Sequence, residues 1–206
     1  NSLTSKQIRE IMDLIREHFE FIPEPEMAIE CNPAGLTKKY IDELSKAGFN
    51  RVSLGIQDFN YQVLDAVNRE RSGMEVEKLV DLFRARGIRV NLDFIYGLPF
   101  QNVSSFSATI KKAAVIRPDR LVTFSYAHVP WFKPAQKKLE SFGLPSPLEK
   151  TRMFERAGEI LASEGYMAIG LDHFALEKDE LVQAWRNREL HRNFQGYCTR
   201  RTTGQV

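Results

Sequence analysis

The chain has 206 residues, a formal net charge of +2, 43% apolar residues and 27% charged residues, the make-up of an ordinary globular domain or of part of a larger one. So small a net charge gives no reason to expect nucleic acid or an acidic surface as partner. No apolar run approaches the roughly 18 residues of a membrane span, no signal peptide opens the chain, and two widely separated cysteines, Cys31 and Cys198, make neither a disulfide framework nor, alone, a metal site; the expected setting is a reducing cytoplasm.

The first expected helix runs from Ser5 to Phe19, with Ile8, Ile11, Ile15 and Phe19 at helical spacing. Pro23 and Pro25 close the connection to a strand, Met27–Cys31. Thr37 is placed to cap a helix carrying Tyr40, Ile41 and Leu44, which Gly48 stops. A strand, Arg51–Ile56, a short helix, Tyr61 to Val67, and a helix with the stripe Val76, Leu79, Val80 and Phe83 follow, the last capped by Gly87. The next strand is Ile88–Tyr96, broken by the turn Gly97-Leu98-Pro99. A helix from about Ser104 to Ala114 uses Phe106 and Ile110, and Pro118 leads into a strand, Arg120–Ser125. An aromatic, proline-punctuated loop from Tyr126 to Pro134, a helix Leu148 to Ser163 with Met153, Ala157, Ile160 and Leu161 inward, and a strand Met167 to Leu171 complete the pattern. Alternation of this kind, with short connections, predicts an α/β fold with a parallel sheet. There are too few such units to close a barrel of eight. An opening helix and a polar close, Thr199 to Gly204, suggest a piece of a longer protein.

Nearly every expected strand stops on a polar residue: Glu30, Gln57, Tyr126-Ala127-His128 and Asp172-His173, with Asp93 inside its strand. In a parallel sheet these side chains share one rim, where barrel enzymes build their sites. Glutamine and carboxylates can take ribose hydroxyls or an amino group, and Arg69 can clamp a carboxylate through two parallel bonds or simply be solvated. The aromatics Tyr126, Trp131 and Phe132 can line a flat ligand or cover the mouth. His128, His173 and His191 raise a metal site, but they are scattered and show no His-x-His or HExxH spacing. A Walker loop, GxGxxG, GxSxG and zinc-type cysteine pairing are all absent. The residues by themselves point to the binding rim of a parallel α/β domain, part of an enzyme.

Several stretches resemble the oxygen-independent coproporphyrinogen III oxidase family of radical S-adenosylmethionine (SAM) enzymes. They are Ile29 to Pro33, Gly48 to Asn60, Val67 to Glu70, Asp93-Phe94-Ile95-Tyr96-Gly97-Leu98-Pro99, Tyr126-Ala127-His128-Val129-Pro130, Leu144 to Pro147, Asp172-His173-Phe174-Ala175 and His191 to Tyr197. The strand, Gln and Tyr-Gly-Leu-Pro pattern is shared across the wider radical SAM group. The Tyr-Ala-His-x-Pro, Asp-His-Phe-Ala and His191 to Tyr197 blocks separate the chain from haem-chaperone relatives.

The resemblance implies a partial (β/α)6 TIM-like radical SAM barrel over residues 1–175, with 176–206 opening a truncated substrate-covering region. It implies a haem-biosynthetic enzyme that uses a [4Fe-4S] cluster and two SAM molecules. A 5′-deoxyadenosyl radical takes hydrogen from a propionate of coproporphyrinogen III, and two propionates become vinyls in protoporphyrinogen IX. By the same resemblance Glu30 contacts the cluster-bound SAM, Gln57, Arg69, Asp93 and Ala127 contact the second, and Phe124 and Tyr126 line the pocket. His128, Asp172, His173 and the 191–197 loop have no assigned role. One departure matters most: Cys-x-x-x-Cys-x-x-Cys is nowhere in this chain, so the cluster ligands lie outside it and the piece alone is expected to be inactive. An exposed sheet edge predicts self-association. The competing readings are a non-enzymatic haem or porphyrin carrier of the same superfamily and a metal-dependent barrel hydrolase or lyase.

Overall fold

A computed structural model describes residues 2–192 and 196–199. Helix α1, Ser5–His18, begins at a capping box in which Thr4 and Gln7 satisfy each other's backbone N–H groups. Its buried side is Ile8 and Met12 with Ile15 beside them, whereas Ile11 and Phe19 face outward. The helix meets its neighbour on a narrower stripe than the apolar spacing predicts, because Ile11 lies a turn-fraction off the Ile8–Met12–Ile15 line. Strand β1, Ala28–Cys31, is followed by α2, Lys38–Lys46, which Thr37 caps as expected and which buries Ile41 and Leu44. Strand β2, Arg51–Gln57, leads to the short α3, Tyr61–Ala66, capped by Asn60, and to α4, Val76–Arg84, whose whole predicted stripe is buried.

Strand β3, Arg89–Tyr96, α5, Val103–Ile116, and β4, Arg120–Ser125, agree with the sequence to within two residues at each end. After the aromatic loop come the single turn α6, Lys137–Glu140, and α7, Pro147–Ser163, with Ser146 as cap. Strand β5, Tyr166–Gly170, turns at Leu171-Asp172 into β6, His173–Leu176, and the chain continues through α8, Glu180–Arg186, to the two-residue strands β7, His191–Arg192, and β8, Tyr197–Cys198.

The large sheet has the order β1-β2-β3-β4-β6-β5. Neighbours from β1 to β4 are parallel, and β6 runs antiparallel between β4 and β5. The sheet is therefore mostly parallel, as expected, with one reversed strand, β6, where the sequence pattern predicts no element after the strand ending at Leu171. On the outer face Val52, Leu54, Ile56, Val90, Leu92 and Phe94 pack under the helices as one core. The alternate residues point to the inner face, and there the chemistry collects.

Candidate functional site

The inner face encloses a cleft of about 850 Å³. Period-two alternation explains its walls: along β2, Arg51, Ser53, Gly55 and Gln57 line it while Val52, Leu54 and Ile56 are buried outside. Along β3 the lining residues are Asn91, Asp93 and Ile95, and along β4 they are Arg120, Val122 and Phe124. Glu30 from β1 and His173 from β6 complete the ring. Of the residues singled out in the sequence, Glu30, Gln57, Arg69, Asp93 and Phe124 thus line one cavity. A second cavity, of about 70 Å³ beside Phe59 and Met74, lies elsewhere and holds none of them.

At the upper end, β2 breaks register with β3 between Gly55 and Gln57, and Gln57 adopts a left-handed φ of +68°. A bulge re-aims a side chain, and a non-glycine residue holds such a φ only where its surroundings enforce it. The enforcement comes from Asp58, 2% exposed, whose carboxylate accepts from Thr109 Oγ1 and Gln101 Nε2, each at 2.6 Å, and from the Asn60 N–H at 2.9 Å. Arg69 reaches back from the end of α3, and its Nη2 donates to the Gly55 carbonyl at 2.8 Å. A β-carbon at Gly55 would stand 2.8 Å from both that nitrogen and Gln57 Nε2, so the absence of a side chain at 55 makes the shelf on which the two lie. Gln57 Oε1 and Arg69 Nε are nevertheless buried without a hydrogen-bond partner. Orphaned buried polar atoms are costly, and a bound ligand or an ordered water can supply the missing bond.

Below this shelf Ser53 Oγ donates to Asp93 Oδ2 at 2.6 Å. Burial pushes the Asp93 carboxyl up to about 6 against the pull of that hydrogen bond; nearby Glu30 raises it further and His173 lowers it. Asp93, Val122 and His173 stand level across β3, β4 and β6. His173 Nδ1 lies 2.8 Å from Asp172 Oδ1, and its ring is held edge-on by Phe124 and by Tyr197.

Tyr126 and Ala127 stand apart from the cleft lining. Tyr126 keeps its carbonyl on Lys150 Nζ at 2.8 Å, and the Ala127 carbonyl accepts from Gln136 Nε2 at 3.1 Å. Gly97 permits the first contact, since a β-carbon there would meet the Lys150 stem at 2.7 Å. His128 pairs with Glu140 at 2.9 Å and His191 is exposed on β7, so the histidines do not converge. Among the described residues no three of His, Cys, Asp and Glu gather to hold a metal ion. Cys31 is buried, and burial pushes its thiol up to about 11; the chain does not offer the three thiolates of a [4Fe-4S] site.

The floor of the cleft is an ion cluster that sequence reading missed. Arg120 grips Asp179, with Nε 3.0 Å from each carboxylate oxygen, and Arg51 Nη2 and Arg120 Nη2 both reach Glu180 Oε1 at 2.9 Å. Arg89 adds a contact to Glu180 Oε2 at 2.9 Å. Burial and a hydrogen bond to Glu180 raise the Glu26 carboxyl. Glu180 is raised by burial too, but bonding to Glu26 and Arg89 outweighs this and holds it well below the usual range. Asp179 also caps α8, accepting from the Leu181 N–H at 2.8 Å, so the helix beyond the barrel is pinned under it. The signal was available for two of them: Arg51 and Asn91 alternate with the apolar runs Val52, Leu54, Ile56 and Val90, Leu92, Phe94. Their partners lie far away in sequence, and that pairing was not legible.

The profile of the Radical SAM superfamily matches residues 2–113. Oxygen-independent coproporphyrinogen III oxidase of Synechocystis sp. is 44% identical over 200 residues, covering 97% of this chain and 43% of that protein. The Escherichia coli protein of the same name is 43% identical over 202 residues, covering 98% and 44%. The solved structure of coproporphyrinogen III oxidase from Escherichia coli, described as a radical SAM enzyme, superposes with a TM-score of 0.92 at 43% identity, over 96% of this chain and 46% of that one. The chain therefore spans less than half the length of these relatives. No helix among the described residues is long and apolar enough to cross a membrane. The mostly parallel sheet, its polar inner face and the match over residues 2–113 establish that the chain belongs to the radical SAM superfamily.

Proposed function

We propose that this chain forms the SAM- and substrate-binding cleft of an oxygen-independent coproporphyrinogen III oxidase, the enzyme of haem biosynthesis that converts two propionates of coproporphyrinogen III to vinyls. The observation that carries the reading is the pair of buried, unpartnered atoms Gln57 Oε1 and Arg69 Nε on the shelf above Asp93. SAM carries complementary groups: a carboxylate for the Arg69 guanidinium, hydroxyls and an ammonium for Gln57, Asp93 and Glu30, and a flat base for Phe124. Two SAM molecules are assigned, one at Glu30 and one at Gln57, Arg69 and Asp93, with Tyr126 and the Ala127 backbone at the margin of the second. Gln57, Arg69, Asp93 and Glu30 would hold SAM here, and SAM, with a [4Fe-4S] cluster that the two cysteines of this sequence do not hold, would supply radical chemistry at the propionate.

The chain's own residues bind and orient. Gln57 and Arg69 fix the amino-acid end of SAM, and Phe124 offers its ring to the flat base. On this reading residues 176–206 begin the region that covers the substrate. The specific Tyr126-Ala127-His128 and Asp172-His173-Phe174-Ala175 blocks favour turnover over a porphyrin carrier. The test is anaerobic incubation of the full-length protein with coproporphyrinogen III, SAM and a reductant. Formation of protoporphyrinogen IX with release of carbon dioxide is expected; tight porphyrin binding without turnover would overturn the proposal in favour of a carrier.

A further inference from the structure

Resting on that reading of the cleft, we propose that His173, oriented by Asp172, binds a carboxylate of the tetrapyrrole substrate. Four observations converge on its ring. A carboxylate oxygen can only accept, so the 2.8 Å contact with Asp172 Oδ1 places a hydrogen on Nδ1; Nε2 donates to a second carboxylate when the ring is the imidazolium, with a hydrogen on both nitrogens. The ring cannot swing away, because Phe124 and Tyr197 meet it edge-on at 6.3 and 5.1 Å between centroids, with interplanar angles of 89° and 84°. It lines the cleft level with Asp93, one strand beyond Val122. The loop that passes it does so with Gly196, where a β-carbon would stand 3.3 Å from Nε2 and crowd it.

The cleft's other bases are committed. Arg51 and Arg120 are tied to Asp179 and Glu180 on the floor. Arg69 donates to the Gly55 carbonyl and faces the SAM shelf. A substrate bearing four propionates needs a donor away from both places, and among the described lining residues His173 is the one so placed. The groups that face it are Asp172 from its own turn, Asp93 from β3 with Glu30 behind it, and Tyr197 from β8, over whose ring Arg192 lies. Tyr197 is locked in turn, since its hydroxyl sits against Gly170, where no β-carbon fits. The two glycines therefore fit the His173 hairpin and the 196–198 segment to each other, and the histidine becomes a fixed feature of the wall.

The test uses the full-length protein and coproporphyrin III, the stable fluorescent tetra-acid, with its tetramethyl ester as the uncharged control. Loss of a charge-assisted hydrogen bond predicts that His173→Gln weakens tetra-acid binding about 10- to 100-fold, with ester binding, SAM affinity and melting temperature little changed. His173→Arg is expected to restore much of the tetra-acid affinity, and Asp172→Asn to give a smaller loss. Equal losses for acid and ester, or no rescue by arginine, would overturn the proposal and make His173 a prop for Tyr197. Failure of the wild-type protein to bind either porphyrin or turn over the porphyrinogen would instead sink the functional reading itself.

Discussion

Replacing Asp93 with asparagine separates what this residue does for binding from what it costs in stability. Its carboxyl is pushed up to about 6 from the usual 3.8, chiefly by burial. At about 1.4 kcal/mol per pH unit that interval is worth about 3 kcal/mol; the side chain opens partly on the cleft, so about 1–3 kcal/mol is the realistic range. Because the folded state holds this proton more tightly than the unfolded chain, the contribution of Asp93 to stability is fully present below pH 3.8 and is lost as pH rises through about 6. Asparagine is isosteric, keeps an oxygen to accept from Ser53, and carries no charge to desolvate. Asp93→Asn should therefore unfold at a higher temperature than wild type at pH 8, by about 3–10 °C for a domain of this size, and the advantage should shrink as pH falls toward 4.5. SAM binding should fall at the same time. Thermal unfolding of both proteins across pH 4.5–8 decides the matter: a variant no more stable than wild type at pH 8, or an advantage independent of pH, would refute the reasoning.

Gly55→Ala places a methyl group 2.8 Å from Arg69 Nη2 and Gln57 Nε2; about a tenfold or greater loss of SAM affinity is expected, with overpacking costing about 1–3 kcal/mol of stability in urea unfolding. Arg120→Met leaves Asp179, 5% exposed, without its bidentate partner and should cost about 3–5 kcal/mol, whereas a loss under about 1 kcal/mol would mean the floor cluster is ornamental to folding. Strand β1 pairs with β2 alone among the described residues, so the isolated 206-residue chain should associate through that edge; a monodisperse monomer in light scattering with a sharp, high melting transition would contradict this.

Much of the fold was legible because apolar residues fall into two clean periods. The stripe Val76, Leu79, Val80 and Phe83 and the cap Thr37 were each readable locally, and each stands where it was expected. Strand β6 was not, since the four residues after the turn at Leu171, whose φ is +47°, are too short a run to read as a strand of their own. The cleft was half legible. Glu30 and Gln57 stand out as polar stops near strand ends and Asp93 as a polar interruption inside an apolar strand, whereas Phe124 is picked out only by the family resemblance, and the polar interior formed by Arg51, Ser53 and Asn91 is hidden in the same alternation that identifies the strands. Gly55 reads as a weak strand position until Arg69 and Gln57 are seen to occupy the space a side chain would fill. The floor cluster depends on carboxylates of α8 that meet Arg51 and Arg120 only after the chain has crossed the sheet. No local rule connects residues so far apart.

The most direct measurement is the stoichiometry of SAM binding to the full-length protein by equilibrium dialysis under anaerobic conditions, for wild type and for Gln57→Leu, which removes the orphaned Oε1 acceptor from the shelf. About two molecules per chain are expected for wild type and about one for the variant, the molecule at Glu30 remaining. An unchanged stoichiometry and affinity in the variant would contradict the assignment of this cleft to SAM.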